Sequence, residues 1–347
     1  MDNFNKSTDK DQSKNMEDLF QHNYGDQQLP PPQQPQQERT KTINDSYNNY
    51  TSTMEAEEKD EEIDKSWIPA IKAIQNRKTN YIFLFGRPGS GKTAIISSLC
   101  HYMGTHPSGS LEVRNRNNKE GIFLLKEIFK KGREGLFLER TARNKITEID
   151  LKYTPRKPKK PVNLTFLEMS GEDLNKVELE RDYVTGDPTG GNLPDNIDIY
   201  LKSPKVKMLF LLVTEQGRAR EDDLFMFEFL DYLRKKHKNF IKPKVLLLVS
   251  KWDQYNGRYK DDISSFVAKH MKLTYNFLTQ IDGSIGYYSV GDVIEIPKGP
   301  TTETVIANVN QQQADVVKRW MYQNITGKTI PVKGTSWWEK MMRNLGN

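Results

Sequence analysis

Residues 81–96 read YIFLFGRPGSGKTAII, and the fold is organised around this stretch. Tyr81 to Phe85 form a short apolar run, as expected of a strand that is buried on both faces. The next eight residues fit the pattern G-x-x-x-x-G-K-[ST], and the residues from Ala94 to Leu99 have the pattern of a helix. A strand, a glycine-rich loop and a helix in this order are the context in which the pattern cradles phosphate. The stretch therefore predicts a nucleotide-binding loop.

The residue types of this loop suit a phosphate ligand. Its glycines let backbone N–H groups approach phosphate oxygens without a Cβ in the way, and the helix N-terminus adds partial positive charge. Lys92 would reach the β- and γ-phosphates, and the Thr93 hydroxyl would ligate Mg²⁺. The loop sequence does not indicate which nucleotide is bound, because it suits an ATPase or a small-molecule kinase equally well. The predicted phosphate-binding residues are Gly86, Arg87, Pro88, Gly89, Ser90, Gly91, Lys92 and Thr93.

Charge is distributed unevenly along the chain. Residues 1–64 hold 6 Lys/Arg against 15 Asp/Glu, a net of −9, so the whole-chain charge of +6 leaves +15 for residues 65–347. The first segment is rich in Asn, Gln, Asp and Pro, and such a composition buries too little apolar surface to offset chain entropy. We therefore expect a disordered acidic arm over 1–64, a folded domain over 65–325 and a C-terminal extension over 326–347. The basic domain gives no firm nucleic-acid signal, since solvated Lys/Arg faces are common.

Several classes of protein are disfavoured by composition. Cys100 is the only cysteine, which rules out an internal disulfide and favours a reducing compartment. The five histidines form no cluster with ligand spacing, so we expect no zinc site. The N-terminus lacks the apolar core of a secretory signal, and no apolar run is long enough to cross a bilayer. These features predict a cytoplasmic protein.

Downstream of the loop, apolar runs of strand length alternate with helical patterns. A helix is predicted over 121–129, and the strands 149–153 and 162–167, joined by a short basic link, predict an antiparallel hairpin at the sheet edge. The pattern indicates an α/β fold: a mostly parallel sheet with one antiparallel edge strand and helices on both faces. The remaining strands are predicted over 206–213, 245–249 and 285–290, and the remaining helices over 222–237, 261–278 and 312–322. The apolar face of the helix 222–237 is predicted to hold Leu224, Phe227, Leu230 and Leu233.

Three short motifs follow strands of this sheet, where ligands of such folds bind. The strand 162–167 is followed by Glu168, which can hold Mg²⁺ through water, and by Gly171, whose N–H can reach a γ-phosphate. The strand 245–249 is followed by Ser250-Lys251-Trp252-Asp253. The Asp253 carboxylate can accept two hydrogen bonds from guanine, whereas adenine would leave it unsatisfied.

Two further contacts would complete a guanine site. The aliphatic stem of Lys251 can lie along the base and cover the phosphate loop. The backbone of Ser289 and Val290, at the end of the strand 285–290, could meet the guanine carbonyl. Together with the phosphate loop, these positions would hold both ends of a nucleotide.

These residues, in this order and at these strand ends, resemble the Ras-like (TRAFAC-type) P-loop GTPases over about residues 81–291. The resemblance implies a Ras-like P-loop NTPase core with GTP or GDP and Mg²⁺ as ligands. It implies Thr93, Thr141 and Glu168 around the metal, and Lys92, Thr141 and Glu172 as catalytic residues. Thr141 is assigned as the first-switch threonine, and both switch regions are enlarged.

The sequence also departs from the family pattern. Ser250 replaces the usual Asn or Thr but keeps a hydroxyl that can bond to the phosphate loop. Glu168 replaces the usual Asp, and Glu172 stands where many members carry the Gln that orients the attacking water. In phosphoryl transfer, loss of the arginine that stabilises the transition state costs about 10³–10⁵ in rate. An arginine of this chain itself, a cis arginine, would supply this charge. The candidates are Arg87, Arg140 and Arg143.

The resemblance implies a GTP-binding molecular switch, a GTPase with slow or partner-assisted hydrolysis. An ATP-using P-loop kinase or ATPase, which Asp253 disfavours, and a non-hydrolysing pseudo-GTPase scaffold remain alternatives. An effector or regulator protein is expected at the switch loops and at a C-terminal apolar stripe, for which contact with the domain itself or with a membrane surface also stays open. The sequence does not indicate the oligomeric state. The stripe comprises Trp337, Trp338, Met341, Met342 and Leu345.

Overall fold

A computed structural model describes residues 68–139, 141–143, 145–181, 188–203, 206–236, 243–255, 262–298 and 301–331. Three predictions lie outside these residues: the acidic arm over 1–64, the C-terminal apolar stripe, and Arg140. The middle of the second switch, 182–187, lies outside them as well. The phosphate loop and the three motifs that follow strands all lie within them.

The strands of the described residues build one large sheet and two small ones. They are, in chain order, β1 (Asn80–Phe85), β2 (Gly109–Val113), β3 (Ile146–Pro155), β4 (Val162–Met169), β5 (Leu179–Arg181), β6 (Pro188–Gly190), β7 (Lys207–Glu215), β8 (Lys244–Ser250), β9 (Ser284–Tyr288), β10 (Gly291–Lys298) and β11 (Thr301–Val309). Seven of them form the sheet β2-β3-β4-β1-β7-β8-β9. β3 runs antiparallel to β2 and β4, and the other neighbours are parallel. The predicted α/β fold with a mostly parallel sheet is confirmed.

Helices cover both faces of this sheet. They are α1 (Ile68–Asn76), α2 (Lys92–Thr105), α3 (Lys119–Glu134), α4 (Gly171–Leu174), α5 (Asp195–Lys202), α6 (Ala219–Lys236), α7 (Ile263–His270), α8 (Lys272–Gln280) and α9 (Gln311–Thr326). Within β1, Tyr81, Phe83 and Phe85 enter the core beneath α1, α5, α6, α7 and α8, whereas Ile82 and Leu84 enter the core beneath α2, α3 and α9. None of the described helices combines the length and apolar content that a bilayer crossing requires.

The sheet extends one strand beyond the predicted hairpin. β2 pairs with β3 along Gly109–Val113, so the β3–β4 hairpin lies inside the sheet and β2 forms the edge. This edge strand was not predicted from the sequence. No residue of β2 is fully buried, because only one of its sides is paired and its residues are largely solvated. A strand of this kind lacks the alternation of apolar and polar residues by which strands are predicted from sequence.

The buried face of α6 differs from the predicted one. Leu224 is 40% exposed, so the predicted stripe was wrong at this position, whereas Phe227 is partly buried and packs against the core. The helix begins at Ala219, three residues before the predicted start, and the rings of Phe225 and Phe229 stack on Phe85 of β1. The fully buried apolar residues of α6 include Phe225, Met226, Phe229, Leu230 and Leu233.

A second hairpin, β10–β11, was not predicted. It lies between the last strand of the sheet and α9, and its strands pair in antiparallel register from Gly291–Val309 to Lys298–Thr301. A signal was present, because β-branched residues flank the turn-forming pair Gly299-Pro300 on both sides. The polar and charged residues of this stretch concealed that signal. This hairpin contributes to the site described below.

Candidate functional site

A cavity of about 440 Å³ lies at the carboxyl ends of the parallel strands. This volume falls within the range of about 300–1,000 Å³ that is common for small-molecule sites. We call the part of its wall from Gly89 to Ile95 and from Met169 to Glu172 the phosphate side. We call the part from Ser250 to Gln254, together with Tyr288 and Val290, the base side. The cavity lining comprises Pro88, Gly89, Gly91, Lys92, Thr93, Ala94, Ile95, Phe137, Leu138, Glu139, Thr141, Met169, Ser170, Gly171, Glu172, Ser250, Lys251, Asp253, Gln254, Tyr288, Val290, Val293 and Thr304.

The glycine-rich loop positions Lys92 at the start of α2. Gly89 and Gly91 adopt left-handed φ angles of 80° and 94°, which a residue with a Cβ rarely adopts. The Lys92 Nζ donates hydrogen bonds to the carbonyls of Gly86 at 2.7 Å and Arg87 at 3.1 Å. Burial lowers the pKa of Lys92 to about 8, against the opposing effect of Glu168 and Asp222. The ammonium is thus held inside the loop, next to the cavity.

Two hydroxyls and one carboxylate meet beside Lys92. The Oγ1 atoms of Thr93 and Thr141 each donate a hydrogen bond of 2.5 Å to Glu168 Oε1, and the two hydroxyl oxygens lie 3.4 Å apart. Glu168 is 3% exposed, and burial raises the pKa of its carboxyl while the two hydroxyls and Lys92 lower it. The structure therefore brings together the three residues predicted around a metal. A compact set of oxygen donors fits Mg²⁺, which prefers oxygen ligands.

Gly171 lies in close contact with the phosphate loop. A Cβ at this position would stand 2.6 Å from both the Lys92 Nζ and the Pro88 backbone nitrogen. Only glycine lets the chain after β4 approach the loop this closely. The next residue, Glu172, lines the cavity and pairs through its carboxylate with Arg143, which is 70% exposed. Glu172 is therefore near the predicted place, but its carboxylate is held by an arginine of the first switch.

The base side contains the predicted guanine motif. Ser250 Oγ donates a hydrogen bond of 2.7 Å to the Ser90 carbonyl, so this hydroxyl does bond to the phosphate loop. Lys251 lines the cavity with a left-handed φ of 54°, and its Nζ pairs with Glu215 at 2.8 Å. Asp253 lines the cavity, and among the described residues its carboxylate has no hydrogen-bond partner.

The two predicted contacts after β9 differ from each other. Val290 lines the cavity, and its carbonyl accepts a hydrogen bond from the Asn310 N–H at 2.9 Å. Ser289 is buried and does not line the cavity, because its Oγ accepts a 3.3 Å hydrogen bond from the Gly291 N–H. The structure therefore brings Val290, but not the Ser289 side chain, to the base side.

The Arg87 side chain points away from the cavity. Its guanidinium pairs with Glu178 at 2.6 Å and with Asp222 at 3.2 Å, and lies 4.5 Å above the Phe225 ring. Asp222 is 1% exposed and also accepts a hydrogen bond from Thr214 Oγ1 at 2.7 Å. The proposal of Arg87 as a cis arginine is therefore wrong, because this buried ion pair holds the guanidinium on the far side of the loop.

Sequence reasoning missed several residues of the cavity wall, including two before the first switch and two on the β10–β11 hairpin. Phe137 and Leu138 precede Thr141, and Val293 and Thr304 belong to the β10–β11 hairpin. Phe137, Leu138 and Val293 are apolar, and Thr304 lies within a strand, so none of them is a polar residue at a strand end. The alternating pattern of β10 was the available signal for Val293.

A family model and a solved structure are similar to parts of this chain. A family model described as "Double-GTPase 1" matches residues 83–185, which run from β1 to the second switch and make up less than a third of the chain. No curated protein matches. A solved structure described as Methanosarcina barkeri Roco2 RocCORdC bound to GDP is 13% identical, with a TM-score of 0.29, over 61% of this chain and 43% of that one. Its low similarity adds no detail. The phosphate loop, the sheet and the family match indicate a P-loop GTPase fold.

Proposed function

We propose that this protein binds GTP with Mg²⁺ and acts as a Ras-like, nucleotide-dependent switch with slow or partner-assisted hydrolysis. The observation that carries the proposal is a single cavity lined both by Lys92 and by Asp253. A cation for phosphate and a carboxylate for a base edge in one cavity suit a guanine nucleotide. The volume of about 440 Å³ leaves room for such a ligand.

The phosphate side would hold the charged end of the nucleotide. The N–H groups of the loop and the start of α2 provide donors for phosphate oxygens, and Lys92 provides a charge. Thr93, Thr141 and Glu168 would hold Mg²⁺, which neutralises charge on the phosphates when bound. Phosphoryl transfer depends mainly on such positioning and neutralisation, so this arrangement is suited to hydrolysis.

The base side would select guanine. Asp253 can accept hydrogen bonds from the ring N–H and the exocyclic amine of guanine, and adenine lacks this pair of donors. A carboxylate left without donors in a partly closed site would cost about 1–3 kcal/mol or more. The Lys251 stem and the Val290 backbone border the same region.

The proposed switch consists of two segments that meet the phosphate loop. Thr141 belongs to the segment after α3, and Gly171 begins the segment after β4, so γ-phosphate would order both segments. Hydrolysis is expected to be slow, because an ionised Glu172 offers no N–H donor to an attacking water and adds negative charge. An effector or regulator that binds these segments would then read the nucleotide state.

Two other functions can be distinguished by experiment from a GTP-dependent switch. The Arg143–Glu172 pair, which places a carboxylate beside Gly171, favours a scaffold that binds GTP without hydrolysing it. An ATP-using kinase or ATPase would need a base side that accepts adenine, which Asp253 disfavours.

Competition binding with purified protein tests the proposal. We expect GTP to displace a fluorescent guanine nucleotide at least about a hundredfold better than ATP, a difference of about 2.7 kcal/mol. Lys92→Ala is the control that should lose binding of both nucleotides. Preferential ATP binding would favour the kinase or ATPase, and guanine binding without Mg²⁺-dependent turnover would favour the scaffold.

A further inference from the structure

The β10–β11 hairpin contributes to the wall of the nucleotide cavity. Val293 and Thr304 both line the cavity. In the antiparallel register Val293 pairs with Ile306 and Glu295 pairs with Thr304, so Val293 and Thr304 lie on the same face of the hairpin. One face of the hairpin is therefore turned towards the site.

The hairpin is attached to the segment that leads to Thr141. The Ile306 N–H donates a hydrogen bond of 2.7 Å to the Gly135 carbonyl, and Leu136 forms an antiparallel bridge with Val305. A Cβ on Gly135 would stand 2.7 Å from the Ile306 carbonyl oxygen. An isolated two-stranded hairpin is marginally stable in water, so this attachment helps to fix its position.

The hairpin joins the two sides of the site. Its first residue, Gly291, directly follows Val290 of the base side. At the open end of the hairpin, the Asn310 N–H donates a hydrogen bond of 2.9 Å to the Val290 carbonyl. From Gly135 the other segment continues through Phe137 and Leu138, which line the cavity, to Thr141. A displacement of the hairpin would therefore change the wall around the nucleoside and the start of the first switch together.

We propose that the β10–β11 hairpin retains the nucleoside part of the bound nucleotide and that its contact with Gly135 positions the first switch. This inference rests on the proposed nucleotide site. Val293 and Thr304 pack against the base or ribose, and they do not contact the phosphates. The contact between Gly135 and Ile306 acts through these residues and through the segment to Thr141, so Gly135 is a positioning residue. Release of the nucleotide then requires this contact to open.

Two glycines form a matched pair of variants. Gly135 caps α3 with φ 70°, and Gly327 caps α9 with φ 69°, so alanine meets the same backbone strain at each position. Nothing lies within 4 Å of a Cβ on Gly327, whereas a Cβ on Gly135 meets the Ile306 carbonyl. The difference between Gly135→Ala and Gly327→Ala therefore isolates the hairpin contact.

The experiment measures dissociation of fluorescent GDP and affinity for GDP and for pyrophosphate. We expect Gly135→Ala and Val293→Ala to release GDP about tenfold faster, within the usual range of coupling between sites, and Gly327→Ala to stay within about twofold of wild type. Pyrophosphate affinity should stay unchanged in Val293→Ala, because Val293 contacts the nucleoside, and in Gly327→Ala. Melting temperatures of the free proteins check that each variant is folded.

The outcomes separate this inference from the proposed function. Equal GDP release from Gly135→Ala and Gly327→Ala, or parallel losses of GDP and pyrophosphate affinity in Val293→Ala, would overturn the role of the hairpin. If wild type prefers adenine nucleotides, the same comparison is made with fluorescent ADP. The proposed function then fails, while faster release from Gly135→Ala still supports the hairpin.

Discussion

Ser250 links the base side to the phosphate side through one hydroxyl. Its Oγ donates to the carbonyl of Ser90, 160 residues earlier in the chain, and both residues are buried. Serine differs from the Asn or Thr usual at this position but keeps a hydroxyl that can bond to the phosphate loop. The observed hydrogen bond is the one expected, so the hydroxyl group, rather than the exact residue type, is what this position requires.

Replacement of Ser250 by alanine tests this link. Ser250→Ala leaves the buried Ser90 carbonyl without its donor, so we expect the free energy of unfolding to fall by about 1–2 kcal/mol, with weaker GTP binding. Ser250→Thr, which keeps the hydroxyl, should retain more of both. Denaturant unfolding and GTP titration measure the two effects. Equal losses in the two variants would show that the hydroxyl is not responsible.

Among the described residues, Arg143 is the remaining candidate for a cis arginine, because Arg87 is held in ion pairs. It is exposed and pairs only at the surface with Glu172, an arrangement that a more negative ligand readily displaces. We expect Arg143→Ala to lower the GTP turnover number by at least about tenfold with little change in GDP affinity, since an arginine finger is worth about 10³–10⁵ in rate.

The control for Arg143 is another exposed arginine. Arg133 lies on α3, and its Nε donates to the Phe129 carbonyl of the same helix at 3.2 Å. Arg133→Ala should leave turnover unchanged in single-turnover hydrolysis assays. If both variants hydrolyse GTP at the wild-type rate, Arg143 has no part in catalysis.

At the scale of elements, Arg87 fastens three segments together. It belongs to the phosphate loop, and its guanidinium reaches Glu178 after α4 and Asp222 in the first turn of α6. Burial raises the pKa of Asp222, while Arg87 and Arg218 lower it. The loop is therefore held from its outer side by a cluster that sequence reasoning did not anticipate.

Removal of Arg87 should destabilise the protein strongly. Arg87→Ala leaves the buried Asp222 carboxylate without its ion-pair partner, which costs about 3–5 kcal/mol when a buried pair is broken. In the double variant with Asp222→Asn, the loss should be smaller than the sum of the two single losses, since the unpaired charge is gone. Unfolding in denaturant measures all three variants. Strict additivity would contradict a direct pairing.

At the scale of the whole molecule, Cys100 lies fully buried on α2 beneath the sheet. Burial raises the pKa of its thiol far above the usual range, so the native protein presents almost no thiolate. Because the chain has no other cysteine, thiol labelling reports the opening of this core alone. We expect no labelling until the core unfolds.

Nucleotide binding should slow that labelling. A ligand at about 100 times its dissociation constant stabilises the folded state by about 2.7 kcal/mol, which lowers the labelling rate about a hundredfold when unfolding limits access. GTP with Mg²⁺ should give this protection, and Lys92→Ala should not. Rapid labelling of the free, folded protein would contradict the buried position of Cys100.

The sequence predicted those parts of the fold that leave a residue-type marker. The apolar run of β1, the loop to Thr93 and the acid at Glu168 all have residue types that their chemistry requires. The predicted class and sheet are confirmed, and the structure gathers Thr93, Thr141 and Glu168. Their proposed roles are still predictions.

The rest depended on tertiary contacts that no local pattern records. β2 is a solvated edge strand stabilised by pairing with β3, so its sequence carries no apolar period. The buried face of α6 is set by packing against β1 and Arg87, which exposes Leu224 despite its spacing. The place of the β10–β11 hairpin beside the cavity follows from its contact with Gly135, far away in sequence.

The nucleotide preference of Asp253→Asn tests the central claim most directly. Asparagine presents an N–H donor where aspartate presents only acceptors, so it matches the additional carbonyl of xanthine. We predict that the variant loses at least about tenfold in GTP affinity, or about 1.4 kcal/mol, and gains XTP affinity, as measured by competition against a fluorescent nucleotide. Unchanged preference for GTP over XTP in this variant would show that Asp253 does not recognise the base and would contradict the account.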